Sequence, residues 1–207
     1  MKRDSEPILG LLATTAAATL GYLAITQLVQ TGKTRRKDAR ARRKALRAAT
    51  PRAKRIADVT GHIGKWYTHV PLALGGAALL RHFDHREAAA TLAGSSVLAA
   101  VASPLLDRIH ELRKPPPGKQ DPNAQSFPSG HALETTAVSL VVAWILARER
   151  LAPRAVVAPA AVAASAISGV GRLILDRHWT TDSIAGYLAG IALGTACAGG
   201  YEVARAT

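Results

Sequence analysis

Four consecutive residues, Pro128, Ser129, Gly130 and His131, stand in the stretch QSFPSGHALE at the entrance to an apolar run, and each suits the binding of an anion. A helix starting there offers unpaired backbone N–H groups and the positive end of its dipole, which together hold phosphate. Proline fits an opening turn, serine caps the helix or donates its hydroxyl, and glycine lets an anion approach the backbone. His131 then faces the bound group. Further along, GRLILDRHWTTD carries Arg172, His178 and Asp182. A guanidinium is a planar, permanently charged fork for phosphate oxygens. His178 and Asp182 are four apart, which on a helix puts both on one face, so that the carboxylate holds the imidazole in one tautomer. PSGH alone also reads as a turn and a helix cap, and Asp176 and Arg177 read as interfacial anchors. Taken together, the two stretches are the halves of one phosphate-handling site at a membrane surface.

The elements that must position these residues follow from the segregation of charge. Of the 207 residues, 48% are hydrophobic and 20% charged, but the charges crowd into short stretches. Residues 7–32 contain no Asp, Glu, Lys or Arg, whereas a helix crosses a bilayer core of about 30 Å with about 20 residues. Similar runs cover 66–80, 88–106, 155–171 and 183–201, and 128–147 carries only Glu134. The expected fold is all-α, an integral membrane bundle of six transmembrane helices. It divides into a first helix (1–32), a basic juxtamembrane segment (33–65) and a five-helix core (66–207) that carries both motifs. A cleavable signal peptide is the rival reading of the first run, against which stand its length and the basic block that follows. Gly186, Gly190 and Gly194 recur every four residues and form a packing seam on the last helix. Such faces serve a dimer or packing within one chain equally, so the oligomeric state stays open. Cys197 is the single cysteine, which excludes an intrachain disulfide and a thiolate metal cluster.

The block KTRRKDARARRKALRAATPRAKR opens with Lys33, closes with Arg55 and holds twelve Lys or Arg against one acid, Asp38. Beside a membrane span such a cluster lies against anionic lipid head groups, and its tether between two spans favours lipid over nucleic acid. The loop that holds it falls on the same side as the loop that holds PSGH. Short basic loops stay in the cytoplasm, so the charge rule puts the active face inside. PPPG, from Pro115 to Gly118 and flanked by Lys114 and Lys119, marks a stiff non-helical lead into that loop.

PSGH followed by R-x5-H-x3-D resembles the type 2 phosphatidic acid phosphatase (PAP2) family, related to bacterial acid phosphatases and vanadium haloperoxidases. The resemblance implies hydrolysis of a lipid phosphate without a metal or other cofactor, through a phosphohistidine. In that picture His178 attacks phosphorus, Asp182 orients it and His131 protonates the departing oxygen. Arg172, the Ser129 hydroxyl and the Gly130 amide hold the equatorial oxygens. The family's first motif, K-x6-R-P, meets DRIHELRKP here, with Asp107 in the lysine slot and Lys114 in the arginine slot. Arg108 and Arg113 each lie one residue from a slot and either rotate into the site or leave the phosphate clamp weakened. Gly171 stands where a serine is often found. Substrates implied are polyprenyl diphosphates, phosphatidic acid, phosphatidylglycerol phosphate and polyprenyl phosphate sugars, handled in the plasma (inner) membrane. Bacterial members of this layout usually open outward, against the charge rule. A non-catalytic lipid-phosphate binder or scaffold, favoured by Asp107, and a small transporter are the competing functions. Glu134 is expected at the wet mouth of its helix, and His62, His69 and His110 as interfacial polar residues. His82, Asp84 and His85 are too few to make a metal site.

Overall fold

A computed structural model of the chain describes residues 2–110, 113–117 and 125–206, with side chains from residue 6 onward. Gly118 and Lys119, the end of the proline turn and its flanking lysine, lie outside the described residues; Pro115, Pro116 and Pro117 are non-helical, as expected. Eight helices follow in order: α1 Lys2–Gln30, α2 Arg35–Ala48, α3 Pro51–Gly61, α4 Trp66–His82, α5 Arg86–Ile109, α6 Gly130–Arg148, α7 Arg154–Ile174 and α8 Thr180–Ala206. No strand occurs among the described residues. Five helices are long and apolar enough to cross a membrane, namely Glu6–Gln30, Arg86–Ile109, Gly130–Arg148, Arg154–Ile174 and Thr180–Ala206. The sixth expected span, α4, has 17 residues and so reaches about 25 Å. It exposes Leu72, Leu74 and Leu79, as α1 exposes Leu9, Leu12 and Leu20 and α7 exposes Val156, Val162 and Ile167. Water would not tolerate a belt of this extent, and lipid provides its solvent. The protein is a multi-pass membrane bundle.

Its core is α6 held between α8, α7 and α5, with α1 laid along α8 and α4 along α5. Helix contact without a hydrophobic driving force needs small residues, and the glycine seam provides them. A Cβ on Gly190 would come within 2.6 Å of the Leu133 carbonyl, and one on Gly194 within 3.0 Å of the Ala137 carbonyl. Thr15 and Thr195 share a hydrogen bond of 2.7 Å between α1 and α8. At the end of the bundle remote from the two motifs, Glu202 accepts from Trp144 Nε1 at 2.8 Å and from Arg148. Glu149 gathers His85, Tyr201 and Arg205 there. Burial works to raise the Glu149 carboxyl, but the Tyr201 bond and the Arg205 and His85 charges outweigh it and hold the group below its ordinary value. His85 is thus a tie between the α4–α5 and α6–α7 turns.

The basic block folds as α2 and α3, which pack over the end of α7 where the motifs lie. It is more than a solvated anchor. Asp38, its one acid, is 1% exposed and accepts from the Thr181 backbone N–H at 3.0 Å and from Arg113 at 2.9 Å. Arg42 donates two hydrogen bonds to Asp176, each 2.7 Å, and Arg177 approaches Asp58 at 3.6 Å. Asp176 and Arg177, expected as interfacial anchors, instead tie the α7–α8 turn to this cap.

Candidate active site

The two motifs meet where α6 and α8 begin and α5 and α7 end. Helix α6 starts at Gly130, with Ser129 as an extended N-cap whose side chain makes no capping bond. The backbone N–H of Ser129 donates to the Asp182 carbonyl at 2.9 Å, which splices the two motifs directly. Gly130 allows a close approach of helices, because a Cβ there would collide with the Ser103 hydroxyl of α5.

His178 and Asp182 do not share a helix face. Helix α8 begins at Thr180, so His178 precedes it, while Asp182 sits in the first turn. The Asp182 carboxylate folds back to accept the Trp179 backbone N–H at 2.8 Å, one half of a capping box. Its distance to His178 Nδ1 is 3.8 Å, too long for a hydrogen bond. The Ser126 carbonyl orients the ring instead, accepting from Nδ1 at 2.8 Å. A carbonyl only accepts, so the proton resides on Nδ1 and neutral His178 keeps a free lone pair on Nε2.

Asp182 is fully buried and receives Arg113 through Nε at 2.9 Å and through the terminal nitrogen at 2.6 Å. Arg113 also reaches Asp38 and the Thr181 hydroxyl, bridging the basic block, the loop after α5 and the start of α8. Of the two cations flanking the first-motif slots, Arg113 therefore turns inward. Arg108 is exposed on the last turn of α5. Lys114 is exposed as well, and its carbonyl accepts from Trp179 Nε1 at 3.0 Å. Neither side chain lines the cavity between the motifs.

That cavity, about 610 Å³, is lined by both His131 and His178, with Gly130, Asp107, Glu134 and Lys65. Arg172 is 1% exposed, donates to the Ala57 carbonyl at 2.9 Å and approaches His131 Nε2 at 3.2 Å. A guanidinium cannot accept, so His131 Nε2 accepts here and carries its proton on Nδ1. Of the five buried side-chain donors without a partner among the described residues, two belong to the motifs, the Ser129 hydroxyl and Arg172 Nε. Buried donors left without acceptors cost free energy unless a ligand completes them, and both belong to residues expected to hold phosphate oxygens.

Glu134 and His69 depart from expectation. Both are buried, Glu134 at 8% and His69 at 7% exposure. His69 Nε2 meets the Glu134 carboxylate at 2.8 Å while Nδ1 meets the Ser96 hydroxyl at 2.8 Å. A charged or polar pair inside a membrane bundle survives only when mutually satisfied, and the i, i+3 spacing of His131 and Glu134 was the one signal in the sequence that placed Glu134 nearby. His110 is partly buried against Tyr22 and Phe127, and desolvation lowers its pKa. His62 stays exposed beside Tyr67.

The family model described as the PAP2 superfamily matches residues 78–204. Among solved structures, the chain is similar to the crystal structure described as the first transmembrane PAP2 type phosphatidylglycerolphosphate phosphatase from Bacillus subtilis. The two share 19% identity and a TM-score of 0.72, over 89% of this chain and 94% of that one. No curated protein sequence matches. The sequence match runs from within α4 to the last turns of α8, and so contains every residue of both motifs. With the bundle they open into, it makes this chain a member of the PAP2 superfamily.

Proposed function

We propose that the protein is a membrane phosphatase that hydrolyses a lipid phosphate or diphosphate through a phosphohistidine on His178. The observation that carries this reading is a cavity lined by both imidazoles, with Arg172 held against one of them, 3.2 Å from His131 Nε2. Membership of the PAP2 superfamily and the similarity to a phosphatidylglycerolphosphate phosphatase support the same class of substrate. A second cavity, about 600 Å³, lies between α4, α6 and α7 and is walled by apolar residues such as Leu72, Leu80, Val138 and Val142. It also touches His69, whose partner Glu134 lines the first cavity. A lipid tail in one and its head group in the other fit this layout.

In the reaction, His178 Nε2 attacks phosphorus while the Ser126 carbonyl holds Nδ1–H in place. Splitting hydrolysis through a covalent intermediate replaces one hard step with two easier ones. The phosphate oxygens take over the donors of Arg172, which frees His131 Nε2 to take the proton of the substrate's phosphate monoanion and pass it to the leaving oxygen as the bond to phosphorus breaks. His131 then draws a proton from the water that breaks the N–P bond. The Gly130 amide, the Ser129 hydroxyl and Arg172 stabilise charge on the equatorial oxygens. Asp182 acts on His178 from 3.8 Å as a fixed negative charge, itself positioned by Arg113. Among the described residues no group of three or more His, Cys, Asp or Glu side chains could hold a metal ion. The remaining basic side chains of residues 33–55 face anionic lipid head groups.

The test is phosphate release by purified protein in detergent, across lipid phosphates and diphosphates, with magnesium and with chelator. Hydrolysis is expected with at least one substrate, undiminished by chelator and abolished in His178→Ala. Turnover that survives in that variant defeats the nucleophile, and loss on chelation defeats the metal-free route. The second reading is a lipid-phosphate binder without turnover. Asp107 favours it, as a carboxylate that lines the cavity, and binding without phosphate release would establish it.

A further inference from the structure

A phosphate group carries at least one negative charge, and its cavity here already holds the carboxyl groups of Asp107 and Glu134. Like charges at close quarters repel strongly where water is sparse, so a cation beyond Arg172, which meets the phosphate from the His131 side, is needed to offset the two carboxyl groups. The expected sources do not provide it: Arg108 and Lys114 are exposed, and Arg113 is taken up by Asp38 and Asp182. Among the residues lining the cavity, one is a lysine or arginine, and it is Lys65.

Lys65 comes from the turn between α3 and α4, and that turn is seated on the catalytic helices by two glycines. A Cβ on Gly61 would collide with the Arg172 guanidinium. One on Gly64 would lie 2.6 Å from the Thr135 hydroxyl, 3.2 Å from that of Ser168 and 3.5 Å from the His131 carbonyl. Residue 64 is thereby held at the level of His131, and Lys65 follows it as the extended N-cap of α4. Its ammonium makes no ion pair among the described residues.

We propose that Lys65 is the residue whose ammonium binds the substrate phosphate in this chain, in compensation for the aspartate at position 107. The cation reaches the cavity from the segment before α4, rather than from the end of α5. The proposal rests on the phosphatase reading only for the identity of the anion. It concerns a flexible point charge with three donors, which a planar fork replaces in charge and only partly in geometry.

The experiment measures binding of inorganic orthovanadate, a phosphate mimic, to the full-length protein in detergent by calorimetry, alongside lipid phosphate hydrolysis. Lys65→Met is expected to weaken vanadate binding by about tenfold to a hundredfold, the loss of one charge-assisted hydrogen bond. Lys65→Arg retains most of the affinity. The double variant Lys65→Met with Asp107→Lys restores it, which a merely structural lysine would not allow. Lys65→Gln replaces Lys65→Met where the latter does not yield folded protein. Wild-type affinity in the uncharged variant, or a double variant that binds no better than the single one, overturns the proposal, as does absence of vanadate binding by the wild type. Vanadate binding that depends on Lys65, in a wild-type protein that hydrolyses no lipid phosphate, upholds this inference and defeats the phosphatase reading alone.

Discussion

Arg113 joins two buried carboxylates from distant parts of the chain, Asp38 at 2.9 Å and Asp182 at 2.6 Å. Removing the shared partner leaves both acids buried without a cation, so Arg113→Ala is expected to cost about 3 to 5 kcal/mol. Thermal unfolding in detergent reads this as a lower midpoint. Arg113→Lys restores the charge but not the fork, and is expected to recover only part of the loss. The motif residues were legible because their chemistry is local: PSGH announces a helix start, which α6 has at Gly130, and Arg172, His178 and Asp182 announce themselves by type. What escaped the sequence are pairings set by tertiary structure. Ser126 holds His178 through a backbone carbonyl, which no residue type reports. Asp38 read as an exception in a basic block, yet its burial makes it a structural acid. Glu134 and His69 meet across two helices that are far apart in the chain.

The helices themselves were easy to find, since uncharged runs of bilayer length leave few other structures open to a backbone in lipid. The glycines of α8 also declared their role through four-residue spacing, and a paired substitution tests it. Gly190→Val places a side chain against the Leu133 carbonyl and Thr136, and is expected to destabilise the bundle by about 1 to 3 kcal/mol. Gly75→Ala, on α4, meets nothing within 4 Å, and is expected to gain up to about 1 kcal/mol from helix propensity. Equal melting shifts for the two would show that the seam is not a packing device. Less legible were α2 and α3. Their composition is so basic that charge dominates any reading of it, and the few residues that dock them, Asp38, Arg42, Ala57 and Gly61, are scattered among solvated arginines.

The basic cap and both motifs lie at one end of the bundle, so the side of the membrane they face is a single question. From the positive-inside rule we propose the cytoplasm. A cysteine at Lys114, exposed near the site, in a chain whose Cys197 is replaced by serine, reports it in whole cells. An impermeant maleimide is expected to label it only after the membrane is opened, and rapid labelling of intact cells would place the site outside. The Arg113 bridge carries a further consequence for the newborn protein. Its three anchor points are contributed in turn by the segment after α1, the loop after α5 and the first turn of α8. A ribosome releases the last of these only after every helix from α1 to α7 has been made. Until then Arg113 has no Asp182 to hold, and a truncated or stalled chain sits in the bilayer without the nucleophile we propose for it.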